Sequence, residues 1–191
     1  MKKKIIVLFG LFVLMNFGQS CSPEHYLITD ISFQAARIEE NKYDDKQKIF
    51  YRCTSSIKDK LVFIISYYTE YLYGHISNVG NVCYATTVRH INDNELLRET
   101  YSLSFDKPFL YYGETIEQET NIFEVESIVK EIDEYENYMA FCGAGADIVL
   151  DFSDTFFKNS TFELTEYVVT FSCKTSDDKI FTQNITVTFE K

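Results

Sequence analysis

The amino-acid sequence predicts an all-β fold, and within that class an Ig-like antiparallel β-sandwich with one short helical segment. Seven or more short segments alternate apolar and polar residues, which is the pattern of half-buried strands. Turn residues separate these segments, as in a β-sandwich. The chain has no Trp, so the Cys–Trp–Cys core of a true immunoglobulin domain is impossible and only the sandwich architecture is predicted.

The predicted strands begin at residues 26–38, where Ile28, Ile31 and Phe33 are available to a core. The clearest strand is 61–73, and apolar groups on both of its faces predict a central position in a sheet. Further strands are predicted over 49–53, 82–88, 97–105, 109–112 and 147–152, with loops over 41–48 and 78–81.

The last two strands have the most regular pattern. Residues 165–174 place Tyr167, Val169, Phe171 and Cys173 on one face, and residues 180–189 place Phe181, Ile185, Val187 and Phe189 on one face. The polar stretch 175–179 between them is typical of a turn. The sequence therefore predicts a long antiparallel hairpin at this end.

One segment predicts a helix instead. Within residues 125–139, Ile128, Ile132, Tyr135 and Met139 recur at helical spacing, with acidic residues between them. This spacing would place the four apolar side chains along one face of a helix.

The N-terminus predicts export. Lys2, Lys3 and Lys4 precede the run 5–17, in which only Gly10 and Asn16 are not strongly apolar. A basic start and a short apolar run form a secretory signal. Thirteen residues reach only about 20 Å, against about 30 Å of hydrocarbon, so a permanent transmembrane helix is the weaker alternative.

The stretch Gly18-Gln19-Ser20-Cys21 closes this signal and resembles the lipobox of bacterial lipoproteins. The resemblance implies cleavage before Cys21 and attachment of lipid to its sulfur. We therefore predict a lipoprotein signal peptide over 1–20, a lipidated N-terminus with a short tether over 21–25, and one β-sandwich domain over 26–191. Ordinary signal cleavage near Ser20 stays open as the alternative.

Three further stretches, 82–86, 100–106 and 112–116, carry a second resemblance. They contain a cysteine in a β segment, a strand ending in Phe-Asp and a turn containing Gly, and a hairpin closes the chain. The combination resembles a group of small lipoproteins of Bacteroidota that has no assigned activity. The resemblance implies location and fold and implies no chemistry. Ser22 stands where an Asp would retain a lipoprotein in the inner membrane, which favours the outer membrane, facing the periplasm or the cell surface.

Charge excludes one class of partner. Residues 1–20 contain three Lys and no acid, so removing them leaves 15 basic against 29 acidic residues and a formal charge of -14. Without a basic stripe, nucleic acid is not an expected partner. Attraction to anionic headgroups is also not expected, which leaves the lipid as the contact with the membrane.

Four cysteines remain after Cys21, and an even number in an exported chain permits two disulfides with three connectivities. These candidates are Cys53, Cys83, Cys142 and Cys173. Buried free cysteine is the alternative interpretation, because Cys is often fully buried.

Two other clusters are candidate ligand sites. One face of the strand 61–73 carries Tyr67, Tyr71 and Tyr73, whose rings could stack against a sugar. Two further tyrosines, Tyr111 and Tyr112, lie elsewhere in the sequence. Packing in the core is the alternative explanation for these tyrosines. The local acid group is Asp147, Asp151 and Asp154. It offers oxygen ligands for Ca²⁺ but does not fit an EF-hand loop, and solvated strand ends explain it as well.

No metal-ligand spacing, nucleophile elbow or phosphate-binding loop occurs in the sequence. We therefore predict neither cofactor nor metal, and a non-enzymatic, lipid-anchored module of the outer membrane that contacts other envelope proteins or a ligand. The alternatives are a glycan-binding module of a nutrient-uptake system and a hydrolase whose carboxylates the sequence does not identify.

Overall fold

The structure, a computed structural model, describes residues 24–40, 49–57, 61–73, 90–138, 146–163 and 165–190. Strands dominate these residues, which confirms the predicted all-β, sandwich-like fold. Contacts divide the chain into a smaller unit, Met1–Leu27 with Thr69–Asn94, and a larger unit, Ile28–Tyr68 with Glu95–Lys191.

Within the described residues, short helical segments interrupt a long series of strands. The strands are β1 (Glu24–Glu40), β2 (Ile49–Cys53), β3 (Ser56–Ile57), β4 (Val62–Tyr73), β5 (His90–Asn92), β6 (Leu96–Phe105), β7 (Phe109–Tyr111), β8 (Glu114–Ile116), β9 (Ile132–Tyr138), β10 (Ala146–Phe152), β11 (Ser160–Thr161), β12 (Glu166–Thr175) and β13 (Ile180–Phe189). The helical segments are a 3-10 turn (Ile122–Glu124), α1 (Glu126–Val129) and α2 (Asp154–Asn159).

In the smaller unit, β5 pairs in parallel with the start of β1, with Glu24 opposite His90. The backbone N–H of Asp93 donates to the carbonyl of Tyr26 at 2.8 Å. The Asp93 side chain lies 2.6 Å from Nδ1 of His25. This pairing begins the first strand at Glu24, two residues earlier than the sequence predicts.

The larger unit contains three sheets. Sheet A has the order β2–β1–β4–β10–β9, sheet B has the order β3–β13–β12–β6, and sheet C has the order β11–β7–β8. The interior position of β4 confirms that residues 61–73 form a central strand. Most pairs are antiparallel, but β3 pairs in parallel with β13.

Sheets A and B pack face to face through aromatic side chains. Phe33 of β1 stacks on Phe171 of β12 with ring centroids 5.5 Å apart, and Phe33 also lies 5.1 Å from Phe63 of β4. The alternating burial of β12 supplies this core, since every second residue from Tyr167 to Thr175 is buried. The period of two in the sequence is therefore the period of core contact.

The predicted C-terminal hairpin is confirmed. Strands β12 and β13 pair in register from Glu166 with Thr188 to Lys174 with Ile180. In the turn, the N–H of Thr175 donates to the carbonyl of Lys179 at 2.9 Å. Asp178 takes a left-handed backbone angle of φ 69°, which the short side chain of Asp tolerates better than most.

The predicted helix over 125–139 is wrong for most of its length. Only α1, Glu126–Val129, is α-helical, and from Ile132 the chain forms β9. Tertiary pairing decides this, because β9 forms a ladder with β10 in which Ile132 opposes Phe152 and Glu136 opposes Ile148. The sequence does not predict the second short helix, α2, which Ser153 caps by accepting from the N–H of Phe156.

The remaining strand predictions agree with β1, β2, β6, β7 and β10 within a few residues. The strand predicted over 82–88, the loops over 41–48 and 78–81, and the signal over 1–20 lie outside the described residues, so those predictions are unchanged.

Candidate functional site

A groove of about 270 Å³ opens on one side of the larger unit. Strand β6 is an edge of sheet B and strand β9 is an edge of sheet A, and the groove lies between them. Its lining residues are Arg98, Glu99, Tyr101, Asn121, Phe123, Glu124, Val129, Ile132 and Glu134. We refer to it as the β6–β9 groove.

A bulge in β6 exposes one wall of this groove. Ser102 opposes Ser172 of β12, but the next registered pair is Leu97 with Lys174, so the ladder is interrupted between them. The Thr100 hydroxyl bridges the interruption by donating to the carbonyl of Leu97 at 2.6 Å and accepting from the N–H of Lys174 at 2.9 Å. The bulge thus displaces Arg98 and Glu99 from regular pairing.

Asn121 closes the neighbouring edge of β6. Its Oδ1 accepts from the N–H of Leu103 at 3.1 Å, and its Nδ2 donates to the carbonyl of Tyr101 at 3.3 Å. The same amide accepts from the N–H of Phe123 and donates to the carboxylate of Glu124. The side chain occupies the place of a partner strand, which blocks this edge from pairing with another chain.

An ion pair crosses the groove. Nη2 of Arg98 lies 2.5 Å from Oε2 of Glu134, and the two side chains differ greatly in exposure, at 70% for Arg98 and 8% for Glu134. Burial raises the pKa of Glu134, Arg98 lowers it in part, and the carboxylate of Glu136 raises it further. An inward-pointing charge on an edge strand also discourages edge-to-edge pairing.

Tyr101 forms the inner part of the groove and is 7% exposed. Its ring packs edge-on against Phe171 at 5.4 Å and lies 6.3 Å from Phe123. Among the described residues its hydroxyl has no hydrogen-bond partner. Burial raises the pKa of Tyr101, and the charge of Glu134 adds to the effect. The hydroxyl is therefore a neutral group that can accept or donate one hydrogen bond.

The raised pKa of Glu134 predicts the sign of a pH effect on stability. Between the unfolded and folded pKa values the folded state binds more protons, so the free energy of unfolding rises as the pH falls through that window. We expect wild type to gain stability relative to Glu134→Gln as the pH is lowered from about 7 to about 4. Urea unfolding at stepped pH measures this; a difference that does not change with pH would contradict it.

The described residues do not form a nucleophilic centre around the buried thiol. Cys173 is a free cysteine on the core face of β12 and is 2% exposed. Burial raises its pKa to about 11, which keeps it a thiol at neutral pH, whereas a thiolate is the nucleophile. Among the described residues no group of three or more His, Cys, Asp or Glu could hold a metal ion.

The other predicted cysteine sites stay predictions. Cys21, Cys83 and Cys142 lie outside the described residues, and the side chain of Cys53 is also outside them. The free thiol of Cys173 agrees with the alternative of buried, unbridged cysteine for that residue alone.

The tyrosine platform is described only in part. Tyr67 is half-buried and packs against the core, which agrees with the core interpretation for that residue. The side chains of Tyr71 and Tyr73 are outside the description. Of the other two tyrosines, Tyr111 is buried, with its ring 5.4 Å from that of Phe156, and Tyr112 is 60% exposed.

The acid group Asp147, Asp151 and Asp154 is not a set of solvated strand ends. Asp151 is buried, at 5% exposure. Asp147 accepts from the backbone N–H of Tyr67 at 2.8 Å, and burial raises its pKa. Only Asp154 is exposed, in the first turn of α2. The structure places the three side chains in different environments.

The groove is not predicted from the sequence. Arg98, Asn121 and Glu134 have ordinary residue types, and the helical spacing within residues 125–139 hides the alternation of Ile132, Glu134 and Glu136 along β9. That alternation is the one local signal that could have indicated an edge strand with an inward-pointing charge.

Comparisons with protein-family models, with curated proteins and with solved structures found no match to this chain. Among the described residues, no helix has the length and apolarity needed to cross a membrane.

Proposed function

We propose that this protein is a lipid-anchored, non-enzymatic binding module of a bacterial outer membrane, and that it binds its ligand in the β6–β9 groove. The observation that carries the binding role is the groove itself. It brings the carboxylate of Glu134, whose side chain is 8% exposed, and the buried Tyr101 together between the edges of two sheets. Polar groups converging in a concave site are the usual mark of a binding site.

The anchor in this proposal rests on the N-terminal residues. Lys2 to Lys4, the apolar run 5–17 and Ser20-Cys21 have the order of a lipoprotein signal, and two or more acyl chains attach a protein stably to a bilayer. The membrane contact is then the lipid, and the groove remains available to another envelope protein or to a soluble ligand.

A variant that fills the groove tests the binding role. Val129 is 38% exposed on α1 and lines the groove, so Val129→Trp is expected to fill it without disturbing the core. Ile180 is 69% exposed on β13 and does not line the groove, which makes Ile180→Trp the matched control. The full chain in detergent is screened against peptides, glycans and chromogenic hydrolase substrates.

The expected result is a ligand that wild type and Ile180→Trp bind equally and that Val129→Trp no longer binds. A ligand unaffected by Val129→Trp would place binding elsewhere and overturn the role of the groove. A sugar that wild type binds and Val129→Trp does not bind would favour the glycan alternative. Turnover of a chromogenic substrate would overturn the non-enzymatic assignment.

A further inference from the structure

The two partners of the ion pair that crosses the groove depend on each other unequally. The side chain of Glu134 is only 8% exposed, whereas that of Arg98 is 70% exposed. A buried carboxylate needs a cation or a hydrogen-bond donor nearby. An exposed guanidinium is well solvated without its partner, and exposed pairs contribute little to stability. Glu134 is therefore stabilised by a cation or a hydrogen-bond donor beside it, but that partner need not be Arg98.

The rest of the lining also favours a cation. Glu99 and Glu124 line the groove beside Glu134, and Arg98 is the one basic side chain among the described lining residues. The charge of Glu136 also reaches Glu134 and Tyr101. If Arg98 swings out, the described lining carries three carboxylates and no positive charge, so a cationic ligand is favoured over an anionic one.

The hydrogen-bonding groups agree with this choice. The Asn121 amide is already engaged, with Oδ1 accepting from two backbone N–H groups and Nδ2 donating to Tyr101 and Glu124. The Tyr101 hydroxyl is a remaining group that can accept. A guanidinium offers five N–H donors in a planar fork and accepts none, so it matches a lining of acceptors.

The size of the groove suggests how the cation is presented. Sites for drug-sized small molecules span about 300–1,000 Å³, and this groove, at about 270 Å³, lies just below that range. We therefore expect a ligand of about the size of one side chain and not an extended glycan.

We propose that the β6–β9 groove binds the guanidinium of an arginine side chain presented by another protein, and that Arg98 is a built-in occupant which that arginine displaces. The incoming group pairs with Glu134 and donates to the hydroxyl of Tyr101. This inference rests on the proposed function, because it names the ligand of the same groove.

Calorimetric titration of the full chain in detergent tests the inference. The probes are a short peptide with one arginine, the same peptide with the neutral isostere citrulline, and agmatine as a free guanidinium compound. We expect the arginine peptide to bind, and the citrulline peptide to bind at least about tenfold more weakly because a charged hydrogen bond is lost. Equal binding of the two peptides would overturn the inference.

Variants test the role of each partner. Arg98→Ala removes the internal competitor and is expected to bind the arginine peptide about two- to sixfold more tightly, since the exposed guanidinium of Arg98 competes only weakly. This gain cannot come from unfolding. Glu134→Gln is expected to weaken binding at least about tenfold. Lys130→Ala is the matched control, because Lys130 also pairs with a glutamate, Glu126, at 2.6 Å but does not line the groove.

Each result decides between specific possibilities. Unchanged affinity in Arg98→Ala would show that Arg98 is not a displaced occupant. Agmatine binding as tightly as the peptide would assign the site to a free guanidinium compound and overturn a protein source. If the Val129→Trp screen finds a neutral ligand while the arginine peptide does not bind, this inference fails and the proposed function stands. If no ligand depends on Val129, the proposed function fails as well.

Discussion

Replacing Cys21 by Ser is expected to release the protein from membranes and to abolish its labelling by palmitate. The hydroxyl of Ser cannot form the thioether that carries diacylglycerol, so the chain would have no acyl group. Each buried CH₂ contributes about 0.8 kcal/mol to membrane affinity, and losing several chains removes almost all of it. Without residues 1–20 the formal charge is -14, from 15 basic and 29 acidic residues, which offers no electrostatic attraction to anionic lipid in compensation.

Membrane fractionation and metabolic labelling measure this effect. Ser22→Ala is the matched control, because it changes the neighbouring hydroxyl and keeps the thiol, and we expect it to stay in the membrane fraction. A Cys21→Ser protein that sediments with membranes as wild type does would contradict the proposed anchor. The same result would leave the groove and its ligand unaffected as proposals, since these depend on other residues.

Replacing Phe171 by Ala is expected to remove about 3–5 kcal/mol from the free energy of unfolding. Phe171 has 0% exposure, and its ring joins the two faces of the sandwich. It stacks on Phe33 of sheet A at 5.5 Å and meets Tyr101 of sheet B edge-on at 5.4 Å. Truncation leaves a cavity that neighbouring strands cannot close, because their backbones are held in hydrogen-bonded ladders.

The size of this loss matters because a typical domain unfolds with only about 5–15 kcal/mol. Urea unfolding followed by circular dichroism measures it. Ile180→Ala is the control, since Ile180 is 69% exposed and a surface substitution is expected to change stability by less than about 0.5 kcal/mol. A loss below about 1 kcal/mol for Phe171→Ala would contradict the central position of this ring.

Local pattern predicts the hairpin β12–β13 well and β9 badly, for a physical reason. Every second side chain of β12 from Tyr167 to Thr175 is buried, so the period of two in the sequence records the contact with the core. In β9, apolar residues at helical spacing compete with an alternation that includes the charged Glu134. Pairing with β10, which lies eight or more residues away along the chain, decides the strand.

The sequence by itself determined that this chain is built from strands, and it predicts an exported lipoprotein, because both signals lie in consecutive residues. Only the tertiary structure decided where the proposed binding groove lies. Arg98 and Glu134 are far apart in the chain and belong to strands of different sheets, yet their charged groups lie 2.5 Å apart. No local period encodes such a pair, since it depends on which strands become sheet edges and on how the two sheets pack.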